Sequence, residues 1–167
     1  MRVPFAACFL LTNILAVSFQ PLFGDLRDRI IDHMDKASSS IDLVVYEIRS
    51  NEITDALISA KHRGVRVRIL VDSVSSPVAT PQEKTLEDEG ITVKRVRGIS
   101  NDLMHDKFIL FDGKVASTPS YNRSAKSLRS KDEEESAFTH DEVQIEKLQA
   151  QFDKFWNRPG QDEEDRN

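Results

Sequence analysis

The chain has 167 residues, which is enough for one domain with a hydrophobic core and too few for two. Hydrophobic residues make up 39% of it and charged residues 31%, as in an ordinary soluble globular protein. The single cysteine, Cys8, excludes a disulfide framework or a cysteine-based metal site within one chain. The formal net charge of −5 is misleading, because eight of the 28 acidic residues lie in two runs, 132–135 and 162–165. The other 20 acids are outnumbered by 23 Lys and Arg, a mildly basic balance that neither demands nor excludes a polyanionic substrate.

The N-terminal segment, residues 1–24, has the composition of a targeting sequence. Residues 3–24 carry no charge, Arg2 precedes them, and small residues lie at Ala16 and Ser18. This pattern predicts a secretory signal cleaved before Phe19, and hence an exported protein, periplasmic or secreted. An uncleaved membrane anchor is the main alternative, because 22 uncharged residues are just long enough to cross a bilayer. A buried N-terminal helix is a third interpretation.

Helices and strands alternate along the following segment. Apolar residues at helical spacing predict a helix over 25–37, and the apolar run 41–48 predicts a strand buried on both faces. Asn51 is predicted to cap a second helix that ends at Gly64. The prediction continues with a strand over 65–72, a short helix over 82–89 and a strand over 91–96. A hairpin and a helix over 141–156 follow.

This order predicts an α/β domain over residues 25–158, followed by an acidic disordered tail over 159–167. The first strand–helix–strand unit favours a parallel pair with a right-handed crossover. The expected fold is a mixed, largely parallel sheet flanked by helices.

The hairpin holds the residues of chemical interest. Asp112-Gly113 between two apolar runs is a strong signal for a two-residue turn, which would place Phe111 opposite Lys114. In that register His105 lies opposite Ser120 and Lys107 opposite Thr118. Because side chains alternate along a strand, His105, Lys107, Ser120 and Asn122 are then predicted to share one face.

Such a group suits a phosphodiester. An imidazole nitrogen can attack phosphorus and form a covalent intermediate, while lysine and asparagine can stabilise charge on the non-bridging oxygens. No His, Cys or carboxylate cluster has metal-ligand spacing, so we expect neither a metal nor another cofactor.

The spacing His105-x-Lys107, Asp112, Ser120-x-Asn122 resembles the HKD motif of the phospholipase D (PLD) superfamily. The order of elements is similar to that of its small single-motif members, the bacterial periplasmic endonucleases and the mitochondrial cardiolipin hydrolase type. The resemblance implies a homodimer in which one His105 attacks phosphorus and the other protonates the leaving group. It also implies that Lys107 and Asn122 hold phosphate oxygens and that Ser120 assists.

Three further positions bear on this resemblance. Glu135 matches the place where the small nucleases carry an acid that orients the histidine, although Glu133 and Glu134 compete for the role. Asp112 is explained by turn chemistry more readily than by direct catalysis, and we assign it a supporting part. Pro119 stands where the family usually has glycine, and its fixed φ could displace Ser120.

The sequence therefore predicts a metal-independent phosphodiesterase that hydrolyses either a phospholipid or a nucleic acid. A catalytically impaired member that only binds phosphate-bearing lipid or nucleic acid is the alternative, favoured by Pro119. An accidental motif match in an unrelated domain is the third possibility.

Several residues outside the motif have two interpretations each. Arg66, Arg68 and the basic residues 94–97 could form a basic rim for a polyanion or a solvated strand edge. Tyr46 could meet a ligand at the end of its strand or pack in the core. His33 is expected to be a plain surface residue.

Overall fold

The computed structural model describes residues 26–73, 77–96, 107–118 and 138–158. These ranges contain four helices: α1 (Leu26–Lys36), α2 (Asn51–His62), α3 (Pro81–Asp88) and α4 (Glu142–Trp156). They also contain six strands: β1 (Ser40–Val45), β2 (Arg66–Asp72), β3 (Thr92–Val96), β4 (Phe108–Phe111), β5 (Val115–Ser117) and β6 (Phe138–Thr139). Every predicted helix and strand has a counterpart in these ranges, and the outer ends of the two predicted hairpin strands lie outside the described residues. The two-residue strand β6 was not predicted.

The six strands form one sheet in the order β3-β2-β1-β4-β5-β6. The strands β1, β2 and β3 run parallel, whereas β4 is antiparallel to β1 and continues through β5 to β6 in antiparallel pairs. The predicted mixed sheet flanked by helices is therefore confirmed. Pairing of Val44 with Phe108 places the first residue of β4 beside the carboxyl end of β1.

The sheet is buried on both faces, because alternate strand residues point into two separate cores. On one face Ile41 and Leu43 pack with α1 and α2, and on the other Val44 packs with Phe152 and Phe155 of α4. Burial on both faces explains the nearly continuous apolar run of β1.

The helix starts follow local capping chemistry. Ser50, not the predicted Asn51, caps α2, and its hydroxyl accepts a hydrogen bond from the Ile53 amide at 3.3 Å. Thr80 and Glu83 form a reciprocal capping box at the start of α3, and the Asp141 carboxylate caps α4. Asn51 is instead the first residue of its helix, because a serine immediately before it supplies the capping oxygen one position earlier.

The β4–β5 hairpin departs from the predicted register by one residue. Phe111 pairs with Val115, Leu110 with Ala116 and Ile109 with Ser117, so three residues separate the strands. Asp112 and Gly113 both have positive φ, and the Lys114 amide donates to the Phe111 carbonyl at 2.9 Å. The tight turn is therefore present as predicted, but Lys114 follows it as an additional loop residue before the ladder begins.

Two polar residues are also more enclosed than expected. His33, expected at the surface, is half-buried and stacks between Phe111 and Phe138, with ring centroids 5.2 and 4.5 Å away. Arg68 lies on an inner strand, where its guanidinium donates two hydrogen bonds to the buried Asp42 carboxylate at 2.8 and 2.7 Å.

Candidate functional site

Lys107 lies where β4 begins, next to the carboxyl end of β1. This is the edge at which ligands commonly approach parallel strands. The ammonium nitrogen lies 3.9 Å from the centre of the Tyr46 ring, which is cation–π distance. Tyr46 is partly buried against the core that contains Val44 and Phe108, as its packing interpretation predicts, and its ring also contacts Lys107.

The environment of Lys107 is partly desolvated. Burial lowers the pKa of its ammonium from the ordinary value for lysine, and the negative charge of nearby Glu47 opposes that effect. A cation in such surroundings interacts more strongly with an anion than a fully hydrated one does, because less water screens the pair. The position therefore suits binding of a phosphate oxygen.

A cleft of about 450 Å³ adjoins Lys107, and we call it the β1–α2 cleft. Its walls come from α1, β1, the segment 46–50, the first turn of α2 and the start of β4. The apolar part of the wall consists of Ile30, Leu43, Val45, Ile48, Ile53 and Ile109. Charged and polar groups of Arg27, Glu47, Arg49 and Lys107 lie around it.

The segment that follows β1 is fixed through Ile48. The buried Glu83 carboxylate accepts hydrogen bonds from the amides of Ile48 and Thr80 at 3.1 and 3.2 Å. The Thr80 hydroxyl donates to the Ile48 carbonyl at 2.6 Å, and Arg95 forms an ion pair with the same carboxylate. These contacts hold in place the stretch that contains Tyr46 and the cleft wall.

Asp112 lies at the opposite end of β4 from Lys107. Five residues of extended chain separate the two positions by roughly 16 Å. The carboxylate accepts hydrogen bonds from the amides of Ser38, Ser39 and Ser40 and from the hydroxyls of Ser38 and Ser39, at 2.8 to 3.1 Å. Partial burial tends to raise the pKa of Asp112, but the three amides outweigh it and hold that pKa well below its usual range. This geometry agrees with a structural part for Asp112.

The other predicted site residues, His105, Ser120, Asn122 and Glu135, lie outside the described residues, as does Pro119. Their grouping stays a prediction. The register on which it was partly based differs by one residue over 109–117, so the grouping now depends on the motif resemblance and not on hairpin geometry.

Three of the four described basic residues of β2 and β3 are bonded inside the fold, whereas Arg66 is exposed and Arg97 lies outside the described residues. Arg68 binds Asp42 and Asp153, and its guanidinium lies over the Phe152 and Trp156 rings. Lys94 donates to the Trp156 carbonyl, and Arg95 binds Glu83 and Glu87. These cations are used inside the fold.

Sequence reasoning missed the contributions of Glu83 and of the cleft wall. Glu83 was recognisable only as the third helical residue after a threonine, the spacing of a capping box, and that spacing gives no sign of its bond to Ile48. Ile30 and Ile53 read as ordinary core positions, because nothing local shows that they enclose a cleft. Within the described ranges, no three His, Cys, Asp or Glu side chains gather as a metal-binding group, and no helix has the length and apolar composition to cross a membrane.

Known proteins resemble this chain in sequence. It is 27% identical over 129 residues to a mitochondrial cardiolipin hydrolase of Chlamydomonas reinhardtii, a match that covers 77% of this chain and 56% of the relative. It is 32% identical over 118 residues to a phospholipase D of Rickettsia felis, with 70% and 56% covered. The chain thus spans little more than half the length of these curated relatives, which are PLD-type hydrolases.

Solved structures share the fold. Nuc from Salmonella typhimurium, a phospholipase D family member, superposes with a TM-score of 0.60 at 22% identity, covering 78% of this chain and 86% of Nuc. NucT from Helicobacter pylori gives a TM-score of 0.61 at 20% identity, with 79% and 87% covered. The family described as "Cardiolipin synthase, PLD-like domain" matches residues 30–156, which include all four helices and six strands except the first four residues of α1. The chain therefore belongs to the PLD-like domain family.

Proposed function

We propose that this protein is a metal-independent phosphodiesterase that hydrolyses a phosphodiester bond through a covalent phosphohistidine, with its active site shared across a homodimer. The observation that carries the proposal is the position of Lys107. This residue lies beside the carboxyl end of β1, where ligands commonly approach parallel strands, and it is partly desolvated and adjoins a cleft. Membership of a family whose members include phospholipases supports it.

The proposed reaction has two steps. An imidazole nitrogen of His105 attacks phosphorus, the bond from phosphorus to the leaving oxygen breaks, and the partner subunit's His105 gives that oxygen its proton. That second imidazole then takes a proton from water, whose oxygen attacks phosphorus and breaks the P–N bond. Lys107 and Asn122 bind the non-bridging oxygens in both steps, and Ser120 assists them.

The remaining motif residues act at a distance from phosphorus. Glu135 accepts a hydrogen bond from the ring of His105 and fixes its orientation. Asp112 supports the site indirectly by anchoring the far end of β4 to the loop before β1. The N-terminal segment, residues 1–24, exports the enzyme or anchors it to a membrane, through residues 3–24, near its substrate.

The test of the chemistry uses bis(p-nitrophenyl) phosphate with the purified full-length chain in excess chelator. We expect turnover that persists in chelator and disappears in His105→Ala. Lys107→Met should lower kcat/KM by about 100-fold to 1,000-fold, as loss of one charge-stabilising group does in other enzymes. Lys114→Met is the matched control, because Lys114 is an exposed lysine of the same hairpin, and we expect its turnover to be unchanged.

Sedimentation tests the shared site. We expect a dimer, and mixing wild-type chains with an excess of His105→Ala chains should lower turnover per wild-type chain, because a mixed dimer contains a single His105. A fully active monomer would refute the shared arrangement. Turnover that chelator abolishes would refute metal independence.

The second candidate function is phosphate binding without turnover. Pro119 favours it, because proline stands directly before Ser120 where the family usually has glycine, and its φ is fixed. A folded dimer that binds a phosphodiester but does not hydrolyse it would support this candidate. Activity gained by Pro119→Gly would identify the proline as the cause.

A further inference from the structure

The β1–α2 cleft is apolar inside. Ile30, Leu43, Ile48 and Ile109 in its wall are each less than a tenth exposed, and Ile53 on α2 is partly buried. A cleft of about 450 Å³ is within the range that holds a small organic group. The aliphatic part of its wall offers many methyl groups to a hydrocarbon.

The ammonium-bearing residue Lys107 is part of the lining of this apolar space. Lys107 lies beside Tyr46 at the carboxyl end of β1. The two arginines near the cleft already contact carboxylates, Arg27 with Glu52 at 3.6 Å and Arg49 with Glu47 at 2.5 Å. A motif cation that adjoins an apolar cleft is complementary to a molecule with an anionic head and a hydrocarbon tail.

The same surroundings fit a nucleic acid less well. Single strands are held by a positively charged groove that follows the backbone and by aromatic side chains on which bases stack. In the described part of the chain, three of the β2 and β3 cations that could extend such a groove are bonded inside the fold, which leaves Arg66 exposed. Branched aliphatic side chains make up most of the apolar wall of the cleft, and the rings of the lining belong to only two residues, Tyr46 and Phe108.

We infer that the β1–α2 cleft is a binding subsite for the alkyl part of an amphiphilic phosphodiester, so that the substrate is a phospholipid and not a nucleic acid. The inference deepens the proposed function and rests on it, because it assigns the phosphate to Lys107. Ile53 and Ile30 contact the chain, and Lys107 binds the phosphate.

The test measures binding, which does not require turnover. Ethyl, butyl and octyl phosphate are titrated by calorimetry into the full-length protein, each below its micelle-forming concentration. Every methylene that enters the cleft should lower Kd by about fourfold until the cleft is filled. Octyl phosphate should therefore bind far more tightly than ethyl phosphate.

Two variants of one helix localise the effect. Ile53→Phe reduces the space in the cleft and should remove most of the difference between butyl and octyl phosphate, leaving ethyl phosphate unchanged. Ile58→Phe is the matched control, because Ile58 is also a partly buried isoleucine of α2 but does not line the cleft. Should Ile53→Phe not fold, Ile53→Ala replaces it and should weaken octyl phosphate by at least about fourfold, one methylene's contribution.

The outcomes separate the subsite from the chemistry. Chain-length dependence that Ile53→Phe removes supports the subsite even when no phosphodiester is hydrolysed. Equal affinity for all three phosphates, or equal loss in both phenylalanine variants, overturns it even when bis(p-nitrophenyl) phosphate is hydrolysed. A single-stranded oligonucleotide that competes with ethyl phosphate, together with no chain-length dependence, would assign the site to nucleic acid.

Discussion

Replacing Asp112 by asparagine should destabilise the fold by about 2–3 kcal/mol. The carboxylate accepts hydrogen bonds from five donors in Ser38, Ser39 and Ser40, and bonds to a charged acceptor are worth more than neutral ones. In asparagine one oxygen becomes an NH₂ group that faces the Ser38 amide and hydroxyl, so donors meet donors. Asparagine still tolerates the positive φ of this position, which keeps backbone strain out of the comparison.

Urea unfolding at several pH values is the assay. The pKa of Asp112 is lower in the folded than in the unfolded chain, so its ionisation stabilises the fold at any pH above the unfolded value. The stability difference between the wild-type protein and Asp112→Asn should thus be constant from pH 8 to about pH 5. It should shrink as the pH falls below about 4, where the carboxylate of the unfolded chain becomes protonated.

Asp32→Asn is the matched control, because Asp32 forms an exposed ion pair with Lys36 at 2.6 Å and should contribute about 0.5 kcal/mol or less. An equal loss of unfolding free energy in Asp112→Asn and Asp32→Asn would refute the assignment of Asp112 as an anchor. An unchanged unfolding midpoint with a large fall in kcat would show instead that Asp112 takes part in the chemistry.

Three other changes test contacts within the fold by the same urea measurement. Arg68→Met leaves the buried Asp42 carboxylate without its main partner and should lower the free energy of unfolding by about 3–5 kcal/mol. Much of this loss should be recovered in the double variant with Asp42→Leu. A loss below about 1 kcal/mol in Arg68→Met would contradict the prediction. Glu83→Gln removes the charge that pairs with Arg95 and should cost about 2–3 kcal/mol and weaken octyl phosphate binding, since Ile48 is in the cleft wall. Burial lowers the pKa of His33, so protonation opposes folding and the free energy of unfolding should fall as the pH drops below about 6.5. In His33→Phe the free energy of unfolding should fall less steeply with pH over this range. An unchanged pH dependence in the variant would refute the assignment to His33.

Local sequence signals were sufficient to predict most of the helices and strands. Helical periodicity, a serine or threonine before a helix, and apolar runs of strand length depend only on neighbouring residues. The predicted bounds of α2, β2, α3 and β3 therefore agree with the structure to within a residue or two. The one-residue shift of the α2 cap from Asn51 to Ser50 arose because both residues are good capping residues and only geometry distinguishes them.

The hairpin shows where local reasoning failed. Asp-Gly correctly predicted a turn with positive φ at both residues, but not the additional loop residue Lys114. Asp112 is bound to Ser38–Ser40, more than 70 residues earlier in the chain, and its amide donates to the Ser40 carbonyl. The turn type alone therefore did not predict the register of β4 against β5, and the turn that joins them is also held by contacts far away in the sequence.

The sequence by itself determined the four helices, five of the six strands, the mixed sheet and the family, because each depends on patterns within a short stretch or on a spaced motif. Only the tertiary structure decided that Lys107 adjoins Tyr46, that Glu83 fixes Ile48, and that Arg68 is buried against Asp42. These contacts join residues 26 to 61 positions apart. Which side chain pairs with which across such a separation depends on how the strands are ordered in the sheet, and no local pattern records that order.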